Sequence, residues 1–460
     1  MSKKSVPVKK NETVTLTFED LTHEGSGVGK INGYPLFVPY ALPGEISKVK
    51  VIKVKKNFGF GKLLEVEKKS PERVEPPCNV YYKCGGCQLQ HMSYKVQLDM
   101  KFNQVQNAMY KIAHMEDLPI HPVIGMDDPW RYRNKIQIPV GEKDGELITG
   151  FYRPRSHDII PNQKTCVIQD EVNDRAVETV RRLASRLGIE AYDEKNDRGD
   201  LCHIVVRTAQ STNEAMIVLV TRTKRLPHKA ELIKQITETF PNVKSIMQNI
   251  NDKSTNVILG ETTTCLWGDA YIQDSIGDIR FKISAKSFYQ VNPEMTHILY
   301  DKALEYAQVD ENDVVIDAYC GIGTISLFLA QKAKKVYGVE VVPDAVNDAK
   351  ENAKLNGMDN AEFYVGEAEK IMPWWSAQGL NPDVITVDPP RKGCDEALLK
   401  AMMDMNPKRI VYVSCNPSTL ARDLRILDEG GFVAKEVQPV DMFPQTSHVE
   451  CVALMSRVED

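Results

Sequence analysis

The chain has 460 residues, more than the roughly 250–300 residues at which a single hydrophobic core stops growing, so we expect two or three domains. Hydrophobic residues make up 42% and charged residues 26%, which excludes a disordered or fibrous protein. The net charge of −5 argues against nucleic-acid binding only if the charge is spread evenly. No apolar run approaches the roughly 20 residues of a membrane span, so we expect a cytoplasmic protein.

The first predicted element is a small five-stranded β-barrel. Apolar and β-branched runs at 14–18, 34–38, 46–54 and 61–66 alternate with glycines, which is typical of short strands joined by tight turns. Eight lysines lie within residues 48–69 beside only two glutamates, so this part of the chain is basic although the whole chain is acidic. Because small barrels often hold oligonucleotides, we expect an oligonucleotide-binding barrel; lysines that only face solvent are the alternative.

A helix and then a region of mixed strands and helices follow the barrel. Apolar residues at helical spacing predict a helix that packs into the core: Val96, Met100, Val105, Met109 and Ile112. From about residue 130 to residue 277, strands and helices alternate without a motif that indicates chemistry. Arg131, Arg133 and Lys135 could contact phosphates, but we interpret them as exposed charges at the edge of a strand.

From residue 310 onward, repeats of strand and helix predict a doubly wound parallel sheet. Gly321 and Gly323 form a Gly-x-Gly turn after the first of these strands, where glycine lets a ligand approach the backbone closely. Ser326 stands where a dinucleotide-binding fingerprint has its third glycine, which disfavours NAD. Glu340 ends the next strand, where a carboxylate can accept hydrogen bonds from the ribose of NAD or of S-adenosylmethionine.

An acid followed by two prolines favours S-adenosylmethionine over NAD. Asp388-Pro389-Pro390-Arg391 follows a predicted strand at 384–387, and in methyltransferases this position faces the group that is transferred. Enzymes that methylate exocyclic amines usually have an aromatic residue after the two prolines, whereas this chain has Arg391. Methylation of an amine is therefore disfavoured.

A cysteine and a glutamate near the C-terminus suit methylation of a pyrimidine carbon. Carbon 5 of uracil becomes a nucleophile only after a thiolate adds to carbon 6, and Cys415 directly follows a predicted strand at 409–413. A base must then remove the proton at carbon 5, and Glu450 lies on an otherwise apolar strand. A buried structural cysteine and a role for His448 as the base remain open alternatives.

Five motifs, in this order, resemble those of the RNA 5-methyluridine methyltransferases: SFYQVNP at 287–293, DAYCGIG at 317–323, DPPR at 388–391, SCNP at 414–417 and SHVE at 447–450. The N-terminal barrel resembles the TRAM domain, an RNA-binding module. The resemblance implies that Cys415 is the nucleophile and Glu450 the base. It also implies a set of residues that hold S-adenosylmethionine, namely Gln290, Tyr319, Glu340 and Asp388.

The resemblance also predicts the fold and the limits of the domains. We expect an α/β protein with a Rossmann-like methyltransferase domain, an N-terminal barrel of the OB or TRAM type and a central α+β domain. The barrel would span residues 8–67 and the central domain residues 68–92 and 125–278. The methyltransferase domain would then consist of residues 93–124 and 279–460.

Four of the ten cysteines form a spacing pattern that suits a metal cluster. Cys78, Cys84 and Cys87 are spaced C-x5-C-x2-C, and Cys166 lies far downstream. Structural zinc sites favour two short pairs, so a 4Fe-4S cluster fits better and zinc is the alternative. The pattern resembles the ribosomal-RNA branch of the family. We therefore expect the protein to act on 23S ribosomal RNA, and we expect a monomer. One alternative is transfer RNA as the substrate, and a second is a non-catalytic RNA-binding or folding factor.

Overall fold

The computed structural model describes residues 6–161, 165–253 and 255–457. The last three residues of the predicted methyltransferase domain, 458–460, lie outside them. The described part forms a closed barrel, a six-stranded sheet, a two-stranded hairpin and a seven-stranded sheet, joined by helices. This architecture confirms the predicted α/β fold class with its N-terminal barrel. Within the described ranges, no helix is both long enough and apolar enough to cross a lipid bilayer.

The N-terminal barrel closes in the order β1-β2-β3-β5-β4. Its strands are β1 Thr13–Leu21, β2 Gly27–Ile31, β3 Tyr34–Val38, β4 Ile46–Val54 and β5 Gly59–Lys68. The predicted strands did not include β2, because its glycines hide the apolar alternation of a strand. The close approach of β1 requires glycine here, since a Cβ atom on Gly29 would lie 2.9 Å from the carbonyl oxygen of Thr17.

The predicted apolar helix is α1, Tyr94–Ala108, which continues into a π-helical turn, Met109–Ala113. Val105 and Met109 are fully buried and pack with Ile316 and Ile410 of the C-terminal sheet, which confirms that this face belongs to the core. Met100 packs elsewhere, in a small cluster with Leu89 and Leu42 next to the barrel. The helix therefore connects the barrel to the C-terminal sheet.

The six-stranded sheet has the order β11-β10-β9-β8-β6-β7. Its strands are β6 Lys135–Lys143, β7 Glu146–Thr149, β8 Leu201–Ala209, β9 Glu214–Thr221, β10 Val243–Ile250 and β11 Thr262–Gly268. Helices α2, Glu171–Arg186, and α3, Lys229–Thr239, cover one face with a core of their own. The other face shares its core with the hairpin β12, Tyr271–Ile276, and β13, Ile279–Ser284, and with the C-terminal sheet.

The seven-stranded sheet has the order β16-β15-β14-β17-β18-β20-β19. Its strands are β14 Val314–Ala318, β15 Lys335–Glu340, β16 Ala361–Val365, β17 Val384–Val387, β18 Arg409–Ser414, β19 Phe432–Val440 and β20 Glu450–Arg457. The helices of this region are α4 Pro293–Ala307, α5 Thr324–Ala330, α6 Pro343–Leu355, α7 Ala368–Ala377, α8 Glu396–Met405 and α9 Pro417–Glu429.

The strand order reverses at β14, and this reversal opens the crevice in which such sheets bind ligands. β14 pairs in parallel with β15 on one side and with β17 on the other, so the loops that follow these strands diverge. β20 runs antiparallel and inserts between β18 and β19, whereas the sequence indicated only that a last strand closes the sheet. The crevice therefore lies at the carboxyl ends of β14 and β17.

Candidate active site

A cavity of about 990 Å³ occupies this crevice. It is lined by all six residues that the sequence suggested for cofactor and chemistry, namely Gln290, Tyr319, Glu340, Asp388, Cys415 and Glu450. Most of them follow or end a parallel strand, so their convergence results from the fold's geometry. The sequence did not indicate that Phe288 would line the same cavity, where its ring is 66% exposed and available to a flat ligand.

The turn after β14 fixes two of these side chains. The backbone N–H groups of Gly321 and Val342 donate to the two carboxylate oxygens of Glu340, at 3.2 and 2.9 Å. Tyr319 adopts a left-handed backbone with φ +66°, and its hydroxyl donates to Glu369 at 2.9 Å. The carboxylate and the phenol ring are therefore held in place by the protein itself.

Gln290 reaches the cavity from the segment between β13 and α4. The side-chain amide of Asn134 donates to the Gln290 carbonyl oxygen at 3.0 Å, and Gln290 is 7% exposed. This hydrogen bond ties the six-stranded sheet to the edge of the cavity. The position of Gln290 thus depends on how the two sheets pack.

Two carboxyl groups beneath the turn interact with each other. Asp317 is buried and accepts hydrogen bonds from the hydroxyls of Ser326 and Thr386, while burial raises its pKa to about 6. Ser326 stands in place of the third glycine of a dinucleotide fingerprint, and its hydroxyl therefore stabilises the turn through the hydrogen bond to Asp317. Burial, together with the charge of Asp317, raises the pKa of Asp388 to about 7. Asp388 can thus carry a proton near neutral pH.

Cys415 and Glu450 are brought together by the antiparallel strand that the sequence did not place. β18 pairs with β20 so that Ser414 lies opposite Cys451, which sets the end of β18 beside the start of β20. Burial raises the pKa of the Cys415 thiol to about 11, with the charges of Glu450 and Asp388 adding to this effect and Arg391 opposing it. The charges of Glu450, Asp388 and Arg391 thus all act on the Cys415 thiol.

Glu450 is 3% exposed, and burial raises its pKa well above its usual value. The nearby charge of Asp388 adds to this shift, and Arg391 opposes it. A carboxyl with a raised pKa is a better base once ionised, which suits proton abstraction from carbon. The cavity therefore contains a thiol and a buried carboxyl whose charge raises the pKa of that thiol.

Arg391 and His448 lie where three cavities meet. Both residues line the crevice, the cavity around the four cysteines and a third cavity between the barrel and α1. The Arg391 carbonyl oxygen accepts hydrogen bonds from Asn416 at 3.0 Å and Thr419 at 3.3 Å, which joins the two loops that follow β17 and β18. The sequence gave no role in the site to Arg391, although its place after Asp-Pro-Pro was a usable signal.

The four predicted cysteines line one cavity of about 420 Å³, and the fold thus brings together Cys78, Cys84, Cys87 and Cys166. Burial raises the pKa of Cys87 to about 12, partly offset by Gln90. The backbone N–H of Gly86 donates to the Cys84 sulfur at 3.3 Å. In the described ranges, no three His, Cys, Asp or Glu side chains are grouped tightly enough to hold a single metal ion.

The basic residues near these cysteines do not lie at an exposed strand edge, so that interpretation was wrong. Arg131, Arg133 and Lys135 are all partly buried, and the Arg131 guanidinium donates to the Cys166 carbonyl at 2.8 Å and pairs with Asp174 at 2.9 Å. Arg133 and Lys135 line the cysteine cavity, where burial lowers the pKa of Lys135 to about 7. The cavity is therefore electropositive.

Comparisons with known proteins agree with this geometry. Residues 94–458 match the family model for tRNA (uracil-5-)-methyltransferase, and residues 7–64 match the TRAM domain. An uncharacterized RNA methyltransferase of Oceanobacillus iheyensis is 66% identical over 453 residues, which cover 98% of each chain. A similar protein of Clostridium tetani is 52% identical over 458 residues, which cover 100% of this chain and 99% of that one.

A solved structure is similar over nearly the whole chain. It is the tRNA (uracil-54, C5)-methyltransferase of Pyrococcus abyssi in complex with S-adenosyl-L-homocysteine, with a TM-score of 0.76 and 27% sequence identity. The match covers 96% of this chain and 100% of that one. The chain belongs to the tRNA (uracil-5-)-methyltransferase family of RNA methyltransferases and carries a TRAM domain at its N-terminus.

Proposed function

We propose that the protein methylates carbon 5 of a uridine in 23S ribosomal RNA, with S-adenosylmethionine as the methyl donor. The observation that carries the proposal is the single cavity that Cys415 and Glu450 share with Gln290, Tyr319, Glu340 and Asp388. The fixed carboxylate of Glu340 suits the ribose hydroxyls of the cofactor. We also propose that the protein acts as a monomer.

Different residues of the chain then carry out the successive steps of the proposed reaction. The Cys415 thiol loses its proton to solvent water, and the resulting thiolate sulfur adds to carbon 6 of the uracil, which turns carbon 5 into an enolate carbon. Bound beside Glu340, S-adenosylmethionine would supply the methyl group. Glu450 next takes the proton from carbon 5, and the electron pair of that bond expels Cys415. The Arg391 cation lowers the pKa of Cys415 and thereby favours the thiolate.

Replacing Glu340 by glutamine tests the cofactor-binding role. We expect about 10- to 100-fold weaker binding of S-adenosylhomocysteine, because hydrogen bonds to a charged group contribute about 1.5–3 kcal/mol. Isothermal titration calorimetry measures this affinity directly. Glu362→Gln, on the outer strand β16, serves as the control and should bind normally. Equal affinities for the two variants would remove Glu340 from the cofactor site.

We further propose that the four cysteines hold a 4Fe-4S cluster. Their thiols surround a cavity rather than a point, and a cluster is wider than one zinc ion. A cluster held by four thiolates is anionic, which suits the neighbouring Arg133 and Lys135. Residues of both the 78–87 segment and the loop before α2 contribute, so the group would hold these segments together.

Metal analysis of protein purified without oxygen tests the cluster. We expect a brown protein that contains iron and acid-labile sulfide, and we expect Cys87→Ser to lose both. Cys202→Ser changes a cysteine outside this cavity and should keep the full iron content. Stoichiometric zinc without iron would instead support the alternative metal.

Transfer RNA is the second candidate substrate. The family model's description and the name of the Pyrococcus protein favour it. The cysteine set favours ribosomal RNA through its resemblance to that branch of the family. Mass spectrometry of both RNAs from cells lacking the protein distinguishes the two: we expect 5-methyluridine to disappear from 23S RNA. Its loss from transfer RNA would support the alternative, and an unchanged content in both would contradict the proposal.

We propose that the barrel binds the RNA. All eight lysines within residues 48–69 are exposed, and Lys48 pairs with Glu65 at 3.0 Å while the strip as a whole keeps an excess of positive charge. The third cavity, of about 850 Å³, runs from barrel residues such as His23 past α1 to Cys415. We also propose that the chain divides into a barrel, a central domain and a methyltransferase domain, because the barrel, the six-stranded sheet and the seven-stranded sheet are separate sheets.

A further inference from the structure

A cavity of about 550 Å³ in the central part of the chain lies outside the site described above. It opens where β8 begins and where β9 and β10 end. Among the described residues, five aromatic side chains line it, namely Phe151, Tyr152, His157, Tyr192 and His203. Rings around an open cavity are suited to a flat ligand, because each presents a face on which another ring can stack.

This ring-lined cavity neighbours the cavity of the four cysteines, which in turn neighbours the active site. Gln137 and Phe151 line both it and the cysteine cavity. Arg391, Phe443 and His448 line both the cysteine cavity and the crevice that contains Cys415. The crevice and the ring-lined cavity therefore both adjoin the cysteine cavity, so one RNA that covers this part of the protein could reach both.

The polar groups of the ring-lined cavity suit a nucleobase edge and the backbone next to it. His203 is partly exposed in this lining, and the burial of the rest of its imidazole lowers the pKa to about 4. The ring is therefore neutral, with one donor and one acceptor nitrogen. Arg222 lies over Tyr192 with its guanidinium carbon 5.2 Å from the ring centre. Lys253 also lines the cavity and pairs with Glu261 at 2.5 Å.

The exposure of Tyr152 favours a role in ligand binding over a role in core packing. Tyr152 is 37% exposed although it lines a cavity, and its ring lies 5.6 Å from that of His157 at an angle of 45°. The two rings thus form a tilted pair with free faces. Stacking of one base on an aromatic side chain contributes about 1–3 kcal/mol.

We propose that this cavity binds a second, unpaired nucleobase of the same RNA strand, which stacks on Tyr152 and forms a hydrogen bond with His203. The inference rests on the proposed function, because the RNA must also reach Cys415. The protein would thus recognise two separated bases of a folded RNA, one that it modifies and one that it only binds. Such a second contact selects among uridines without touching the target base.

Substitution of Tyr152 tests this second site with 23S RNA from cells that lack the protein as the probe. We expect Tyr152→Ala to raise the KM for this RNA about 5- to 150-fold, which corresponds to the loss of one stacked base. The kcat and the affinity for S-adenosylhomocysteine should stay unchanged. Tyr152→Phe keeps the ring and should restore the KM, and Tyr364→Ala, which removes a tyrosine of nearly the same exposure (38%), is the control.

Ultraviolet cross-linking of the wild-type protein to the same RNA gives a second measurement. We expect mass spectrometry to find a nucleotide attached to a peptide that contains Tyr152 or Tyr192. A KM for Tyr152→Ala equal to that of the wild type, without such a cross-link, would overturn the second site while leaving the methylation proposal intact. Absence of methylation by the wild-type protein on any RNA would overturn the proposed function, and the cross-link would still decide whether the cavity binds a base.

Discussion

Replacing Cys415 by alanine should abolish methylation while the cofactor still binds. The thiolate adds to the base and does not contact the methyl donor in the proposed reaction. Loss of a covalent nucleophile typically lowers turnover by more than about 10⁴-fold. Transfer of labelled methyl groups to RNA measures turnover, and calorimetry with S-adenosylhomocysteine measures the cofactor affinity.

A cysteine far from the proposed chemistry provides the matched control for Cys415. Cys265 is exposed on β11, so Cys265→Ala should turn over normally. RNA that carries 5-fluorouridine should trap the wild-type protein, because fluorine cannot leave as a cation, whereas Cys415→Ala should form no adduct. Normal turnover of Cys415→Ala would disprove covalent catalysis and leave Cys415 as a structural cysteine.

Replacing Glu450 by glutamine should stall the reaction after methyl transfer. Cys415 still adds to the base and carbon 5 still accepts the methyl group, but no base removes the proton that must leave. General-base catalysis contributes about 10²–10⁴-fold, so the covalent RNA–protein species should accumulate. Denaturing electrophoresis with a methyl-labelled cofactor would reveal labelled RNA attached to the protein.

The same substitution should make the Cys415 thiol more reactive. Burial raises the pKa of Cys415 to about 11, and the charge of Glu450 adds to this rise when that carboxyl is ionised, so removing this charge should lower the pKa. At a fixed pH between 7 and about 9, more thiolate would then be present, and alkylation by iodoacetamide should become faster. Arg391→Gln should have the opposite effect, because Arg391 lowers the pKa of this thiol.

The controls for Glu450 separate a base from a structural carboxyl. Glu429 is exposed at the end of α9, and Glu429→Gln should release methylated RNA at the wild-type rate. Free methylated RNA at that rate from Glu450→Gln would show that Glu450 is structural. His448, which lines the same cavity, would then be the next residue to test.

Much of the fold follows from the sequence because local patterns report strands, helices and turns. The confirmed barrel, the apolar face of α1 and the α/β class depend on side-chain periodicity and glycine positions, which act within a few residues. β2 lacked this signal, since its glycines are required by the close approach of β1 rather than by the strand itself. The domain limits and the roles of the site residues stay predictions.

The sequence by itself determined which chemical groups stand at the ends of strands, and parallel strands necessarily present those ends at one edge of a sheet. The tertiary structure decided what no local pattern encodes. Inserting β20 between β18 and β19 sets Glu450 beside Cys415, and packing of the two sheets carries Gln290 to the crevice and joins the cavities at Arg391. These placements depend on pairing and burial between residues far apart in the chain, so only the folded protein reveals them.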